Sequence, residues 1–295
     1  MSVVHDPSLL VVTDAEATAA AHAAGVEVRP VGGHRELRRV SELLAEVWRV
    51  PLDRSPGPVN ILTAIADTGG YVAGAYRGSE LVGASFGLTY LDGAVAAGGE
   101  ACLRSQVTGA VERGTGIGAA LKLDQRAWAA RRGLARITWT FDPLVRANAR
   151  FNLGRLGARI VRHVPDFYGD LDDGVNGRSP TDRCVVSWST VPEDRSGRVG
   201  DDLGVDVPAD ASAVVVLDVV DGVPQVEASD AAVRLVATPD DIVLLRTVDP
   251  DLALRWTDAM SRAIGAALAD GLEGRSISDT GWYRFCRPSR PAARD

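Results

Sequence analysis

Three glycines in five residues, Gly114, Gly116 and Gly118, stand between a stretch that alternates and one that repeats with helical spacing. The whole run reads QVTGAVERGTGIGAALKLDQRAWAARRG over residues 106–133. Val107, Gly109 and Val111 alternate as an extended strand does. Beyond the glycines, apolar residues recur at Ala120, Leu121, Trp128 and their neighbours until Gly133 ends the pattern. A strand that passes through glycine straight into a helix leaves the first helical N–H groups unpaired and pointing one way. They lie at the positive end of the helix dipole, which attracts anions. Without a Cβ, the glycines let an oxyanion approach the backbone. Arg113, Gly114, Thr115, Gly116, Ile117 and Gly118 therefore read as a loop for a phosphate or pyrophosphate, with Val107 and Val111 on the strand that feeds it. A Walker A loop requires Lys and Ser/Thr after the last glycine, where Ala119 and Ala120 stand. The dinucleotide fingerprint has different spacing, and no acidic strand end follows at its distance. A turn that merely joins strand to helix is the plain alternative.

Composition narrows the classes. At 295 residues the chain suits one large domain, or a domain of about 150–200 residues with a smaller companion. An apolar share of 46% supplies a core, and a mean hydropathy of +0.02 argues against a membrane protein. A net charge of −7 and a pI near 5.2 disfavour nucleic acid as a partner. Cys102, Cys184 and Cys286 lie far apart with no CxxC pair, which suits a reducing cytosol. No signal peptide is evident, so a cytoplasmic location is expected. Four histidines without HxxxH spacing give no expectation of a metal site.

Along the chain, Thr13 to Glu16 resembles a capping box before an alanine-rich helix that Gly25 stops, expected to be peripheral. A strand follows over residues 26–31. Leu37, Val40, Leu43, Leu44, Val47 and Trp48 then mark one buried helical face over residues 34–50. Residues 51–58 (PLDRSPGP) form a loop, and a second helix is expected over 59–66. Strands are expected over 71–76 and 80–90, joined by a tight turn, and over 101–111. After the central helix come a strand at 136–141, a helix at 147–157, and strands at 158–164 and 184–190. Residues 193–210 read as an acidic linker. Strands at 214–220, 233–237 and 281–286 and a helix from Asp249-Pro250 to Gly271 complete the reading.

The pattern Arg/Gln-x-x-Gly-x-Gly/Ala, filled by Arg113, Gly116 and Gly118, resembles the pyrophosphate loop of the GNAT acyltransferase superfamily. The element order β-α-α-β-β-β-α-β-α-β-β resembles that family too. The segments KLDQR, ITWTFDPL, NARFNLGRLGAR, DFYGDLDDGVN and DRCVVSW are similar to one branch of GNAT proteins carrying a C-terminal extension. Some relatives in that branch are associated with N-succinylation of amino acids. The resemblance covers residues 27–190 well and the rest loosely. It implies an α/β (α+β) GNAT fold, with a mixed, mostly antiparallel central sheet flanked by helices and a C-terminal β/α extension. The domains would be a peripheral helix over 1–25, the acyltransferase domain over 26–192, a linker over 193–210 and the extension over 211–295.

The resemblance further implies an N-acyltransferase using acetyl-CoA or succinyl-CoA on a small-molecule amine or amino acid, by direct attack on the thioester. The acyl-CoA arm would run between the splayed strands, bonding backbone near Val107 and Val111, with its pyrophosphate at residues 113–118. Asn148 and Asn152, four apart on a helix, would lie beside the pantetheine arm; each could equally be a solvated or capping group. Tyr168 is the candidate acid for the leaving thiolate, against the alternative of a tyrosine packed in its loop. Asp142 is the candidate base or orienting group, against the stronger alternative of a turn residue before Pro143. Glu112 is a third option, and His163 reads as structural. Trp48 and residues 51–58 would border the acceptor site, and Asn176, Arg178 and Arg183 could bind a carboxylate. The C-terminal extension is expected to pack on the core, cover the acceptor side or make a homodimer contact. The reading from another class is a sensor or scaffold that binds acyl-CoA without turnover.

Overall fold

A computed structural model of the chain describes residues 7–93, 99–169, 180–191 and 212–288. It divides into two compact units, Met1–Trp139 with Ser189–Asp194, and Thr140–Trp188 with Arg195–Asp295.

The first unit is built around the strands β1 (Glu27–Pro30), β2 (Tyr71–Arg77), β3 (Glu80–Asp92), β4 (Glu100–Ala110) and the first part of β5 (Arg136–Phe141). β1 to β4 pair antiparallel in sequence order, and β5 lies parallel to β4. Parallel neighbours need a crossover, which α4 (Ile117–Arg131) provides. The helices α2 (His34–Trp48) and α3 (Val59–Asp67) pack Leu37, Leu44, Leu62 and Ile65 against Val72, Ala84 and Phe86. Each such leucine, fully buried, contributes about 1.5–3 kcal/mol relative to exposure. In a second core, α1 (Pro7–Ala23) and α4 join β2 and β3 through Ala20, Ala21, Ala75, Val82, Ile117, Ala120 and Leu121. Small residues on α1 let the two helices approach closely. Asp14 pairs with Arg131, and Glu16 pairs with Arg126 at 3.2 Å.

The first helix does not begin at a Thr13 cap; it begins at Pro7, and the Thr13 hydroxyl donates to the Leu10 carbonyl inside it. Proline is tolerated in a first turn, where its missing N–H is no loss. α1 lays its partly buried Ala20 and Ala21 against this second core.

The second unit holds β6 (Arg159–Val164), β7 (Arg183–Ser189), β8 (Ala213–Val220), β9 (Val223–Val226), β10 (Val233–Ala237), β11 (Glu273–Ile277) and β12 (Trp282–Cys286). Their pairing runs β7-β6-β11-β12-β10-β8-β9, with β8 and β10 parallel and the other described pairs antiparallel. β9, β11 and the helix α6 (Ile242–Val248) are elements the sequence reading omits. The long helix α7 (Pro250–Ala269) starts as expected, with Asp249 accepting from the Leu252 N–H. It buries Trp256, Met260 and Ile264 as one stripe, so these residues are core. Within this unit β6 pairs with β11 at Ile160 and Gly274. The expected linker lies outside the described residues.

The helix expected over 147–157 is not one regular element. It is a short α5 (Arg146–Ala149) followed by a π-helical stretch, Arg150–Arg155. The Leu156 N–H reaches back five residues to the Phe151 carbonyl.

Candidate functional site

The site begins with a fault in β4. Phe86 of β3 pairs with Val107, but Gly87 pairs with Ser105, so Gln106 is an extra, bulged residue. A bulge bends a strand and sharpens its twist. On its other side β4 pairs with β5 only at Leu103–Ile137 and Arg104–Thr138. That pairing stops there, and Ser105 and Trp139 open a fork between the two strands. The N–H and C=O groups of residues 106–110 on that edge are available to an extended ligand. Trp48 lies over the other side of this segment, and a Cβ on Gly109 would stand 2.6 Å from its ring. Trp48 is accordingly half-exposed rather than core.

The loop after β4 is anchored by the Val111 N–H to the Val82 carbonyl and by an Arg77–Glu112 ion pair at 3.2 Å. That pair occupies Glu112, as its lowered pKa reflects: the Arg77 hydrogen bond favours the carboxylate. The Thr115 hydroxyl donates to the Glu112 carbonyl at 3.2 Å, tightening the turn. Gly114 and Gly116 take φ of 80° and 87°, the left-handed region that costs other residues about 1–2 kcal/mol. Gly116 is the N-cap of α4, and no side chain caps that end. Ile117, fully buried, fixes the helix start, while Val111, Arg113 and Gly114 are exposed. The result is an open helix terminus at the mouth of a strand fork. Element order, glycine loop and fork together decide the architecture. That architecture resembles a GNAT fold.

No family model and no curated protein matches the sequence. Among solved structures, it is similar to aminoglycoside 6'-acetyltransferase type Ii, at 16% identity over 57% of this chain and 99% of that one, TM-score 0.44. It is also similar to a putative acetyltransferase from Salmonella typhimurium solved with acetyl-CoA, at 13% identity over 58% and 96%, TM-score 0.45. A third likeness is Arabidopsis thaliana Naa50 in complex with a bisubstrate analogue, at 18% identity over 56% and 99%, TM-score 0.44. Likenesses at this level say nothing of substrate.

Of the expected site residues, Val107, Val111 and residues 113–118 sit together in the first unit. Asp142, Asn148, Asn152 and Tyr168 belong to the second. Asp142 is buried; its Oδ1 accepts from the Leu144 N–H at 2.9 Å and its Oδ2 from Arg246 Nη2 at 2.8 Å. Both oxygens are thus engaged, one in the turn before α5 and one in an ion pair with α6. Tyr168 is half-exposed, its hydroxyl 3.3 Å from Thr140 Oγ1 and its ring edge-on to Phe167. Arg183 lies 5.3 Å from the Tyr168 ring centre. The π-helical stretch separates the two asparagines in character: Asn148 is exposed and Asn152 is buried. His163 Nε2 lies 3.4 Å from Asp182 Oδ2, a structural pairing between β6 and the residue that precedes β7. Burial pushes the Cys184 thiol well up, consistent with an inert packing cysteine. Asn176 and Arg178 lie outside the described residues.

Sequence reasoning overlooked a polar cluster behind the fork. Lys122 of α4 donates to Ser105 Oγ at 2.7 Å and lies 3.9 Å from the Trp139 ring centre. Beside it Gln125 reaches Ser85, whose hydroxyl donates to the Val107 carbonyl. The signal was the spacing of Lys122, Gln125 and Arg126, which imitates a solvated helical stripe. All three are buried.

Proposed function

We propose that the chain is an acyl-CoA-dependent N-acyltransferase that moves an acetyl or succinyl group to the amine of a small molecule or amino acid. The observation that carries this reading is the uncapped, glycine-led start of α4 opening at the β4–β5 fork. A pyrophosphate suits such a terminus, because unpaired N–H groups and the helix dipole both favour an anion there. Arg113, exposed at the loop, adds charge-assisted donors. The pantetheine arm suits the unpaired edge of residues 106–110, where it would add to β4 as a short strand does. The thioester would then lie inside the fork, and most of the acceleration would come from holding the acceptor amine against it. Tyr168, half-exposed, remains the proposed acid for the leaving thiolate. Asn148 and Asn152 remain proposed neighbours of the arm.

A second reading, an acyl-CoA-binding sensor or scaffold, is favoured by one observation: both oxygens of Asp142 are taken up by Leu144 and Arg246. The two readings separate in one experiment. Thermal unfolding is measured with CoA, acetyl-CoA and succinyl-CoA, then thiol release with pooled amines and amino acids. A ligand at 100 times its Kd adds about 2.7 kcal/mol. Stabilisation with amine-dependent thiol release supports the transferase and identifies the acyl group; stabilisation alone supports the sensor. No stabilisation by any CoA ester refutes both.

A further inference from the structure

Lys122 is the only lysine among the 32 Lys and Arg residues of the chain. An arginine cannot give up its proton in a protein, whereas a buried lysine readily does. Lys122 is 4% exposed. It is held by Ser105, the β4 residue directly after the last β4–β5 pair, and by Trp139, the corresponding next residue of β5. The amine therefore stands in the crotch of the fork, touching one group from each branch.

Among the described residues, no carboxylate compensates it. The charged group acting on it is Arg104 of β4, of like sign. Asp124, also on α4, turns to the Tyr71 hydroxyl of β2 at 2.8 Å. On α1, Asp14 and Glu16 pair with Arg131 and Arg126. On β1, Arg29 lies over the Tyr76 ring, and β3 presents the neutral Ser85 beside Gln125. Burial, aided by Arg104, pushes the Lys122 amine down to about 7. A methionine would fill the same space without that cost, so the fold alone gives no reason for a lysine.

We propose that Lys122, acting through the Ser105 hydroxyl, receives the proton that the acceptor ammonium must lose before acyl transfer at the fork. This rests on the acyltransferase reading. Ser105 Oγ takes a proton from the ammonium as it passes its own to the Lys122 lone pair. The freed amine forms a bond to the thioester carbonyl carbon. The C–S bond breaks with its electron pair on sulfur, and the nitrogen's surplus proton ends on the thiolate, giving amide and thiol. Lys122 then returns its proton to solvent. Ser105 meets the acceptor; Lys122 is the positioning residue behind it.

The test uses the full chain, its Lys122→Met and Lys122→Arg variants, acetyl-CoA and succinyl-CoA, and a pool of amines. Wild-type kcat should rise about tenfold per pH unit and level off near pH 7. Lys122→Met should keep the stabilisation by acyl-CoA and a KM within about threefold, lose about 10²–10⁴-fold in kcat, and lose that inflection. Lys122→Arg should not rescue it. Because the chain has a single lysine, ¹³C-lysine labelling gives one ε-carbon resonance, whose titration midpoint should fall near 7 and move when acetyl-CoA is added. A midpoint near the ordinary lysine value, a resonance indifferent to bound acetyl-CoA, or a methionine variant with wild-type kcat and inflection overturns the proposal alone. Absence of any CoA-ester stabilisation, or binding without turnover across the pool, overturns the acyltransferase reading and this proposal with it.

Discussion

Replacing Lys122 by methionine should change the pH dependence of stability in a direction opposite to that of most core mutations. The folded protein holds this amine at about 7, against an ordinary value of 10.5. At about 1.4 kcal/mol per tenfold change, that displacement costs the fold about 5 kcal/mol where the folded state must carry the buried charge. Between those two pH values the unfolded chain binds a proton that the folded chain does not, so wild-type stability rises with pH. Below about pH 7 both states are protonated and the full cost is present; above about 10.5 it is gone. Relative to Lys122→Met, wild type should therefore gain about 2 kcal/mol between pH 7 and pH 9. At pH 6 the variant should be the more stable protein by about 2 kcal/mol. The rest of the cost is offset by the lost Ser105 bond, about 1 kcal/mol, and the lost Trp139 ring contact, up to about 2 kcal/mol. Urea unfolding of both proteins at pH 6, 7, 8 and 9 measures this directly. Stability curves that run parallel across that range, or a variant less stable at pH 6, would refute the reasoning.

Arg246→Met should destabilise by about 3–5 kcal/mol by stranding the Asp142 carboxylate, and the double variant with Asp142→Asn should recover much of it in chemical denaturation; additive losses would show that the pair does not interact. Gly116→Ala should raise the Kd for acetyl-CoA by titration calorimetry about tenfold, since φ of 87° strains the cap that shapes the loop; an unchanged Kd would remove the loop from the binding site. Gly109→Ala should cost about 1–3 kcal/mol in thermal unfolding, as the new methyl meets the Trp48 ring at 2.6 Å. Tyr168→Phe should leave stability within about 0.5 kcal/mol, and lower kcat by about 10²-fold or more if its hydroxyl serves the thiolate; full turnover would exclude that role.

The glycine loop was legible because its requirement is local: strand, glycines and helix follow one another in sequence. The same holds for β5, β10 and the Asp249 cap, each matched almost to the residue. The fork was legible only as an implication of family likeness, since the Gln106 bulge arises from pairing with a strand some twenty residues away. Lys122 was hidden for a related reason. Polar residues at three- and four-residue spacing mean a wet face on a helix with one buried side, but α4 is covered by α1 as well as by the sheet. The π-helical stretch was hidden because Asn148 and Asn152 fit a regular helix; nothing in ANARFNLGRLG marks an extra residue in the turn. β9 and β11 were passed over because four or five residues with glycine, proline or charge carry little strand signal.

The junction of β6 and β11 has a consequence for how the protein comes into being. Ile160 meets Gly274, and the Tyr283 hydroxyl bonds the Pro143 carbonyl at 2.7 Å. During synthesis β7 soon follows β6, but more than a hundred residues must be added before β11, its partner on the other edge, exists. Until then the nascent chain presents an unpaired edge beside apolar Ile160, an invitation to pair with other chains. A chain cut after residue 192 would be locked in that condition. Its output should be insoluble even though every residue of the glycine loop and the fork is present.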